Sequence, residues 1–291
     1  MSQEETKKGR VGVVGLGAMG FGMATSLVRA GFDVAGFDLS AEAVEKFVAA
    51  GGRAAATPAA AAEGADAVVC VVVNAAQTED VLFGAGGVAA ALPEGAVFIS
   101  CATMAPEAAC ALAARLTATG RHYLDAPISG GAKKAAEGAL TVLAAMAATV
   151  HELGDEPGTA AAFKMVNQLL AGVHIAAACE AITFAAKLGL DIRKVYEVIK
   201  GAAGNSWMFE NRVPHILEGD YTPLSAVNIF TKDLGIIMDM SRANNFPVPI
   251  AATALQLFTM TSAAGMGRDD DSSVARFYAQ TAGVTLPAAK S

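Results

Sequence analysis

The stretch that most restricts what this chain can fold into is Gly15-Leu16-Gly17-Ala18-Met19-Gly20, a G-x-G-x-x-G sequence directly after the β-branched run Arg10 to Val14. A helical pattern (Met23, Leu27, Val28) follows and ends near Gly31. Val34-Ala35-Gly36-Phe37 then reads as a second strand, closed by Asp38. Each glycine has its own physical task. The first permits a tight turn, the second lets backbone N–H groups approach a pyrophosphate, and the third allows close helix–strand packing, while the helix N-terminus supplies positive potential. Asp38 stands 18 residues beyond Gly20, where a carboxylate can accept from both hydroxyls of a ribose. A glycine turn alone is weak; strand, glycines, helix, strand and acid in this order are specific.

The alternation continues. Ala41 to Ala50 reads as a helix, Thr57-Pro58 opens another with proline at its first position, and Ala67 to Val73 is a near-continuous buried strand. Val97 to Ser100 is the next strand, and Pro106 opens the next helix. Asn74 and the segment Cys101-Ala102-Thr103 therefore fall at the carboxyl edge of a parallel sheet. There they can contact a cofactor or act as ordinary helix caps. Ser129-Gly130-Gly131 offers adjacent backbone N–H groups and a hydroxyl, either a cradle for a carboxylate or a plain turn. The expected class is thus α/β, a Rossmann-type N-terminal domain with a parallel sheet.

From Gly158 to Gly189 the chain reads as one long apolar helix, with Thr159 as N-cap and Gly189 as its C-terminal glycine. Phe163, Val166, Leu170, Val173, Ala177, Ala181, Phe184 and Leu188 recur at spacings of three and four and mark one face. Lys164, Asn167 and Gln168 fall on another part of the circumference, beside Ala171. A lysine beside carboxamides on so apolar a helix either reaches solvent or meets a polar ligand. Beyond Asp191 only helical patterns follow: Ile192 to Lys200, Ser206 to Leu217, Leu224 to Ala243, Ile250 to Ala264 and Ser273 to Ala282. The expected division is a cofactor-binding domain at 1–158 and an all-α C-terminal domain at 159–291, with 159–189 as the joining helix.

A net charge of −7 and a pI near 5.1 argue against nucleic-acid and anionic-membrane partners. Cys70, Cys101, Cys110 and Cys179 lack zinc-type spacing, so no metal site is expected and they read as reduced core thiols. With a polar Met1 to Arg10 segment, they point to the cytoplasm. Ala243 to Gly267 carries no charge, but its asparagines, prolines and threonines suit a buried soluble helix better than a membrane span. An apolar helical second domain suggests burial against another copy, as a homodimer or homotetramer.

With these residues assembled, the chain resembles the β-hydroxyacid dehydrogenase family, which includes 3-hydroxyisobutyrate dehydrogenase and tartronate semialdehyde reductase. Four motifs in order carry the resemblance over nearly the whole chain. They are Gly15 to Gly20 with Met23-Ala24 following, Asp125-Ala126-Pro127-Ile128-Ser129-Gly130-Gly131, Lys164-Met165-Val166-Asn167-Gln168, and Lys232-Asp233-Leu234. Asn205 to Arg212 and the Asn167-Gln168 pair are most similar to the L-threonate branch of the family. Gln168 stands where asparagine is usual, which lengthens the polar reach by about one methylene and can tune substrate size. A second departure is the connection of six residues, Ala144 to Thr149, between the expected strands Leu140 to Leu143 and Val150 to Gly154. Six residues cannot make a parallel crossover. Either the strands pair differently or the sequence joins segments that are not covalently adjacent. The second is favoured, because Ala145-Met146-Ala147 looks like the tail of a missing helix.

The resemblance implies hydride transfer between a hydroxyacid carbon and NAD, for L-threonate giving 2-dehydro-L-erythronate. Lys164 is then the acid/base, and burial beside a cationic nicotinamide ring helps its ammonium give up a proton near neutral pH. Asn167 holds the substrate oxygen, Ser129, Gly130, Gly131 and Gln168 bind substrate, and Thr103 and Lys232 border the nicotinamide half; Lys232-Asp233 before an apolar run also suits a salt-bridged helix start. Asp38 favours NAD, because a carboxylate repels a 2′-phosphate and no arginine follows it. An imine reductase of the same architecture would replace the lysine. A 6-phosphogluconate-type enzyme would need basic residues for a sugar phosphate. A non-catalytic dinucleotide-binding protein is the rival of another class, distinguished by binding NAD without turning over any hydroxyacid.

Overall fold

The structure, a computed structural model, describes residues 8–128, 143, 145–147 and 149–288. Two compact units are evident in the chain, Met1–Lys164 and Met165–Ser291.

The first unit is built on six parallel strands: β1 (Lys8–Val14), β2 (Phe32–Phe37), β3 (Arg53–Ala54), β4 (Ala67–Cys70), β5 (Val97–Ser100) and β6 (His122–Asp125). Their spatial order is β3-β2-β1-β4-β5-β6, the doubly wound arrangement in which ligands bind where the order reverses, between β1 and β4. Helices α1 (Ala18–Arg29), α2 (Ala41–Ala49), α3 (Pro58–Ala62), α4 (Ala75–Phe83), α5 (Val88–Ala91) and α6 (Pro106–Thr117) connect them. All four residues of β4 are buried. Ala67 and Val69 join one core with Val13, Leu27, Phe47 and Ile99; Val68 and Cys70 join the other with Phe98, Leu82 and Leu112. Burial on both faces is why β4 reads as an unbroken apolar run. The run ends as a strand at Cys70, earlier than the expected Val73, because Asn74 already caps α4.

The second unit is helical among its described residues. It comprises most of α7 (Thr159–Lys187), then α8 (Ile192–Ile199), α9 (Trp207–Glu218), α10 (Val227–Ala243), α11 (Pro249–Thr261) and α12 (Val274–Ala282). One apolar core unites Ile175, Cys179, Ile182, Phe209, Val213, Ile216, Phe230, Leu234 and Phe258. Helix α7 stops as a glycine C-terminus should. Gly189 has φ 76°, its N–H reaches the Ala186 carbonyl at 3.0 Å, and Leu190 N reaches that of Ala185 at 3.1 Å.

Several expectations are corrected. The eight-residue stripe of α7, whose side the spacing had left open, is the outward one: Phe163, Val166, Leu170, Phe184 and Leu188 are each at least half exposed, while Met165, Ile175, Ala178 and Ile182 face inward. Two apolar faces exist because the whole helix is apolar, and spacing cannot say which one the core takes. Thr159 does not cap α7 but is its first residue. Cys110 is exposed, unlike the three buried thiols, and its Sγ donates to the Pro157 carbonyl at 3.0 Å. Burial pushes the Cys101 thiol up to about 12. Val150 to Gly154 is not a strand, since no ladder joins it to a neighbour; Leu140 to Val142 lie outside the described residues. Ala144 and Ala148 of the short connection lie outside the described residues.

Candidate active site

In the first unit the site grows from the end of β1. Gly15 has φ 96°, and an added Cβ there would collide with the Val71 carbonyl as β4 ends. Its N–H donates to the Phe37 carbonyl at 2.9 Å, so the turn is pinned between β2 and β4. A Cβ at Gly20 would run into the Gly15 carbonyl oxygen, which is the close helix–turn packing its glycine allows. Gly17 differs: it is exposed, and a Cβ there would meet nothing within 4 Å. Beside it lies an open cavity of about 360 Å³, bordered by Leu16, Ala18, Phe21, Ser40, Glu42 and Lys46. Two of the glycines thus serve the protein's own packing, and the third keeps a face clear at the start of α1. Met19 packs against the core below the loop.

Asp38 is half-buried at the end of β2. Its Oδ2 accepts from Leu16 N at 2.6 Å and its Oδ1 from Ser40 N at 2.8 Å. The carboxylate braces the glycine loop, and each oxygen keeps a further lone pair for a ribose hydroxyl. The next residue, Leu39, is 95% exposed and offers no cation for a 2′-phosphate. These features fit a dinucleotide: a clear loop face, a helix N-terminus and a carboxylate at the switch point. Asn74 caps α4, its side chain accepting from Gln77 N at 2.9 Å, and Thr103 is half-buried in the turn between β5 and α6. A Gly17→Ala variant should leave thermal stability unchanged, since the methyl group meets no protein atom, yet weaken NAD binding by about tenfold or more. Calorimetry beside a binding titration checks this, and equal affinity for the variant would place the pyrophosphate elsewhere.

On α7, Lys164 is half-buried, Asn167 exposed and Gln168 buried. In the second unit Asn167 Nδ2 donates to Gln168 Oε1 at 3.0 Å, and Gln168 Nε2 donates to Asp233 Oδ2 at 2.6 Å. Lys232 Nζ lies 2.7 Å from Asp233 Oδ1, whose side chain is 1% exposed. The four residues form one chain, Asn167–Gln168–Asp233–Lys232. Gly172 makes it possible: a Cβ there would stand 3.0 Å from Phe230 and 3.1 Å from Leu234, so the missing side chain lets α10 come up against α7. The longer carboxamide at position 168 is what reaches the buried carboxylate. The Lys232-Asp233 pair expected at a helix start does form, but inside α10, and the bond from Gln168 to Asp233 was not foreseen. The signal that could have found it is an acid inside the apolar Asp233-Leu234-Gly235-Ile236-Ile237 run, which needs a buried partner. Ser129, Gly130 and Gly131 lie outside the described residues.

Comparison with known proteins agrees with this architecture. Residues 10–156 match the family described as the NAD binding domain of 6-phosphogluconate dehydrogenase. Residues 158–278 match that described as the NAD-binding of NADP-dependent 3-hydroxyisobutyrate dehydrogenase. An L-threonate dehydrogenase of Cupriavidus necator is 51% identical over 95% of this chain and 97% of its own length. That of Escherichia coli K12 is 47% identical over 97% of each. The crystal structure of a 3-hydroxyisobutyrate dehydrogenase from Salmonella typhimurium is 46% identical, with a TM-score of 0.87 over 93% of this chain and all of that one. Fold and nucleotide loop together define a dinucleotide-dependent oxidoreductase. The chain belongs to the 3-hydroxyisobutyrate dehydrogenase-like, or β-hydroxyacid dehydrogenase, family, and is an NAD-dependent hydroxyacid dehydrogenase. The match to the Pectobacterium atrosepticum L-threonate dehydrogenase runs over 303 residues and 99% of each chain, more than the 291 present here. That relative therefore carries residues this chain lacks.

Proposed function

We propose that the enzyme oxidises L-threonate to 2-dehydro-L-erythronate with NAD. The observation that carries this reading is the run of relatives named L-threonate dehydrogenase at 44–51% identity, against 33% for a 2-(hydroxymethyl)glutarate dehydrogenase of Eubacterium barkeri; the 46% identical Salmonella structure makes 3-hydroxyisobutyrate the alternative substrate. The Asn167-Gln168 pair supports it.

When bound, the nicotinamide accepts the hydride. Lys164 takes the hydroxyl proton in oxidation and returns it in reduction. Asn167, three residues on along the same helix, holds the substrate oxygen, with its amide turned by Gln168. Ser129, Gly130 and Gly131 bind the substrate carboxylate through their N–H groups, and Gln168 sets the depth of the substrate pocket. Gly15, Leu16, Gly17, Ala18, Met19, Gly20 and Asp38 hold the adenosine and pyrophosphate end of NAD, and Asn74, Thr103 and Lys232 its nicotinamide end. In this reading 1–158 is the NAD-binding domain and 159–291 the substrate and assembly domain. Initial rates over threonate, 3-hydroxyisobutyrate, glycerate and 2-hydroxyacids, each with NAD and NADP, test it. Threonate with NAD should give the highest kcat/KM; a higher value for another acid would move the assignment to that acid, and NAD binding without any turnover would end the catalytic reading.

The enzyme works in the cytoplasm as a homodimer or homotetramer. Supporting this, Val166, Leu170, Phe184 and Leu188 form an exposed apolar row on α7, beside a groove of about 570 Å³ lined by Val173, Ala177, Phe184 and Ile250. The same row on a second copy matches it in length and chemistry, as an isologous contact requires. Phe184→Glu should shift the mass in light scattering to the monomer; an unchanged mass would place the contact elsewhere.

A further inference from the structure

The long helix that carries Lys164 begins without a side-chain cap of its own. The residue before it, Gly158, has no side chain and sits at φ 89°. The i to i−4 bonds start with Ala162 N to the Gly158 carbonyl at 2.9 Å, so the Ala161 N–H, one of the orphan first-turn donors, needs an acceptor from elsewhere. That acceptor is Asp125 Oδ2, at 2.8 Å, from a residue 36 positions earlier in the chain. Asp125 ends β6 in register with Ser100 of β5, so the acceptor stands on the sheet. Burial pushes the Asp125 carboxyl up from its ordinary range, and the backbone at Ala161 and Gly158 opposes that push.

We infer that Asp125 is a positioning residue for Lys164: it ties the first turn of α7 to the end of β6 and thereby sets where the lysine, three residues beyond Ala161, is held. The inference rests on Lys164 being the acid/base of the proposed reaction. Two further observations show a built anchor. Gly158 packs so closely that a Cβ there would stand 2.8 Å from Cys110 Sγ and 2.9 Å from the Pro106 carbonyl, and Cys110 Sγ bonds the Pro157 carbonyl. A carboxylate at a helix N-terminus is also favoured by the helix dipole. Asp125 opens the segment that resembles the family's substrate-binding motif, yet its carboxylate is engaged by the helix.

The test compares wild type with Asp125→Ala, Asp125→Asn, Ala161→Pro and Lys164→Ala, using kcat, KM, NAD affinity and amide exchange at residues 159–164. Asp125→Ala should lower kcat by about tenfold or more, because a displaced catalytic group is costly even when chemically intact. NAD affinity should hold within about twofold, and the Ala161 amide should lose protection. Asp125→Asn, whose carboxamide oxygen still accepts from Ala161 N, should restore kcat to within about threefold of wild type. Should Asp125→Ala fail to fold, Ala161→Pro removes the same bond from the donor side, at a first-turn position that tolerates proline, and should show the same loss of kcat. An unchanged kcat in a folded Asp125→Ala or Ala161→Pro variant overturns the inference, as does an Asp125→Asn enzyme that is slow with Ala161 still protected. If instead Lys164→Ala turns over like wild type, the catalytic reading is what fails, and exchange at Ala161 still reports the cap.

Discussion

Lys164→Ala is expected to lower kcat by about 10²–10⁴-fold, the usual worth of a positioned acid/base, while NAD binds nearly as before. The two effects should separate because the glycine loop and Asp38, the proposed holders of the dinucleotide, are far from Lys164 in sequence. Alanine is at home in a helix interior, and Lys164 is half-buried, so the variant should fold. The decisive comparison is turnover per NAD-binding site. Turnover equal to wild type would remove Lys164 from the chemistry. A loss of NAD affinity as large as the loss of turnover would mean it binds cofactor instead.

The largest effect on stability is expected at Arg212. In the helical unit this residue, 7% exposed, forms a two-pronged pair with Asp271, Nε to Oδ1 at 2.6 Å and Nη2 to Oδ2 at 3.1 Å. Asp270, also fully buried, is satisfied by Leu224 N and by Ser272 through its N–H and hydroxyl. Arg212→Ala strands the Asp271 charge in the core, and breaking a buried pair from one side costs about 3–5 kcal/mol. The loss should depend on pH. Burial already pushes the Asp271 carboxyl up to about 6 with Arg212 opposing it, so removing the arginine raises it further. A carboxyl whose folded-state pKa is raised weakens the fold most when ionised, and the penalty shrinks as pH falls and the folded state takes up the proton. The Tm deficit of Arg212→Ala should therefore be larger near about pH 7.5 than near about pH 5. An equal or reversed deficit would show that the ionisation of Asp271 does not depend on Arg212.

The dinucleotide half of the site was legible because its signals are local. Gly15, Gly20 and Asp38 act within a few residues of one another in space and through backbone geometry, and φ 96° at Gly15 or the contact of Gly20 with Gly15 excludes other side chains. The alternation of strands and helices was equally readable, since periodicity and caps are short-range properties. Lys164 and Asn167 were proposed through a family motif, and their helix was read from its apolar length.

What no local rule could supply is the pairing of distant residues. Thr159 was the reasonable cap for α7 by sequence, but the acceptor at Ala161 N is Asp125, delivered by the sheet. Asp233 was readable only as a partner for Lys232 until α10 met α7 across Gly172 and brought it to Gln168. The stripe from Phe163 to Leu188 has the spacing of a core face, yet it faces outward, because Ile175, Cys179 and Ile182 on the other side meet Phe209, Phe230 and Phe258. Sequence by itself determined the elements, the glycine loop, its acid and the lysine-bearing helix, all of which depend on neighbours along the chain. Only the tertiary structure decided which face of that helix is inside, what caps it and which carboxylate anchors its amides. Each of those is a choice among distant partners, made by burial and by the need to satisfy every buried donor and charge.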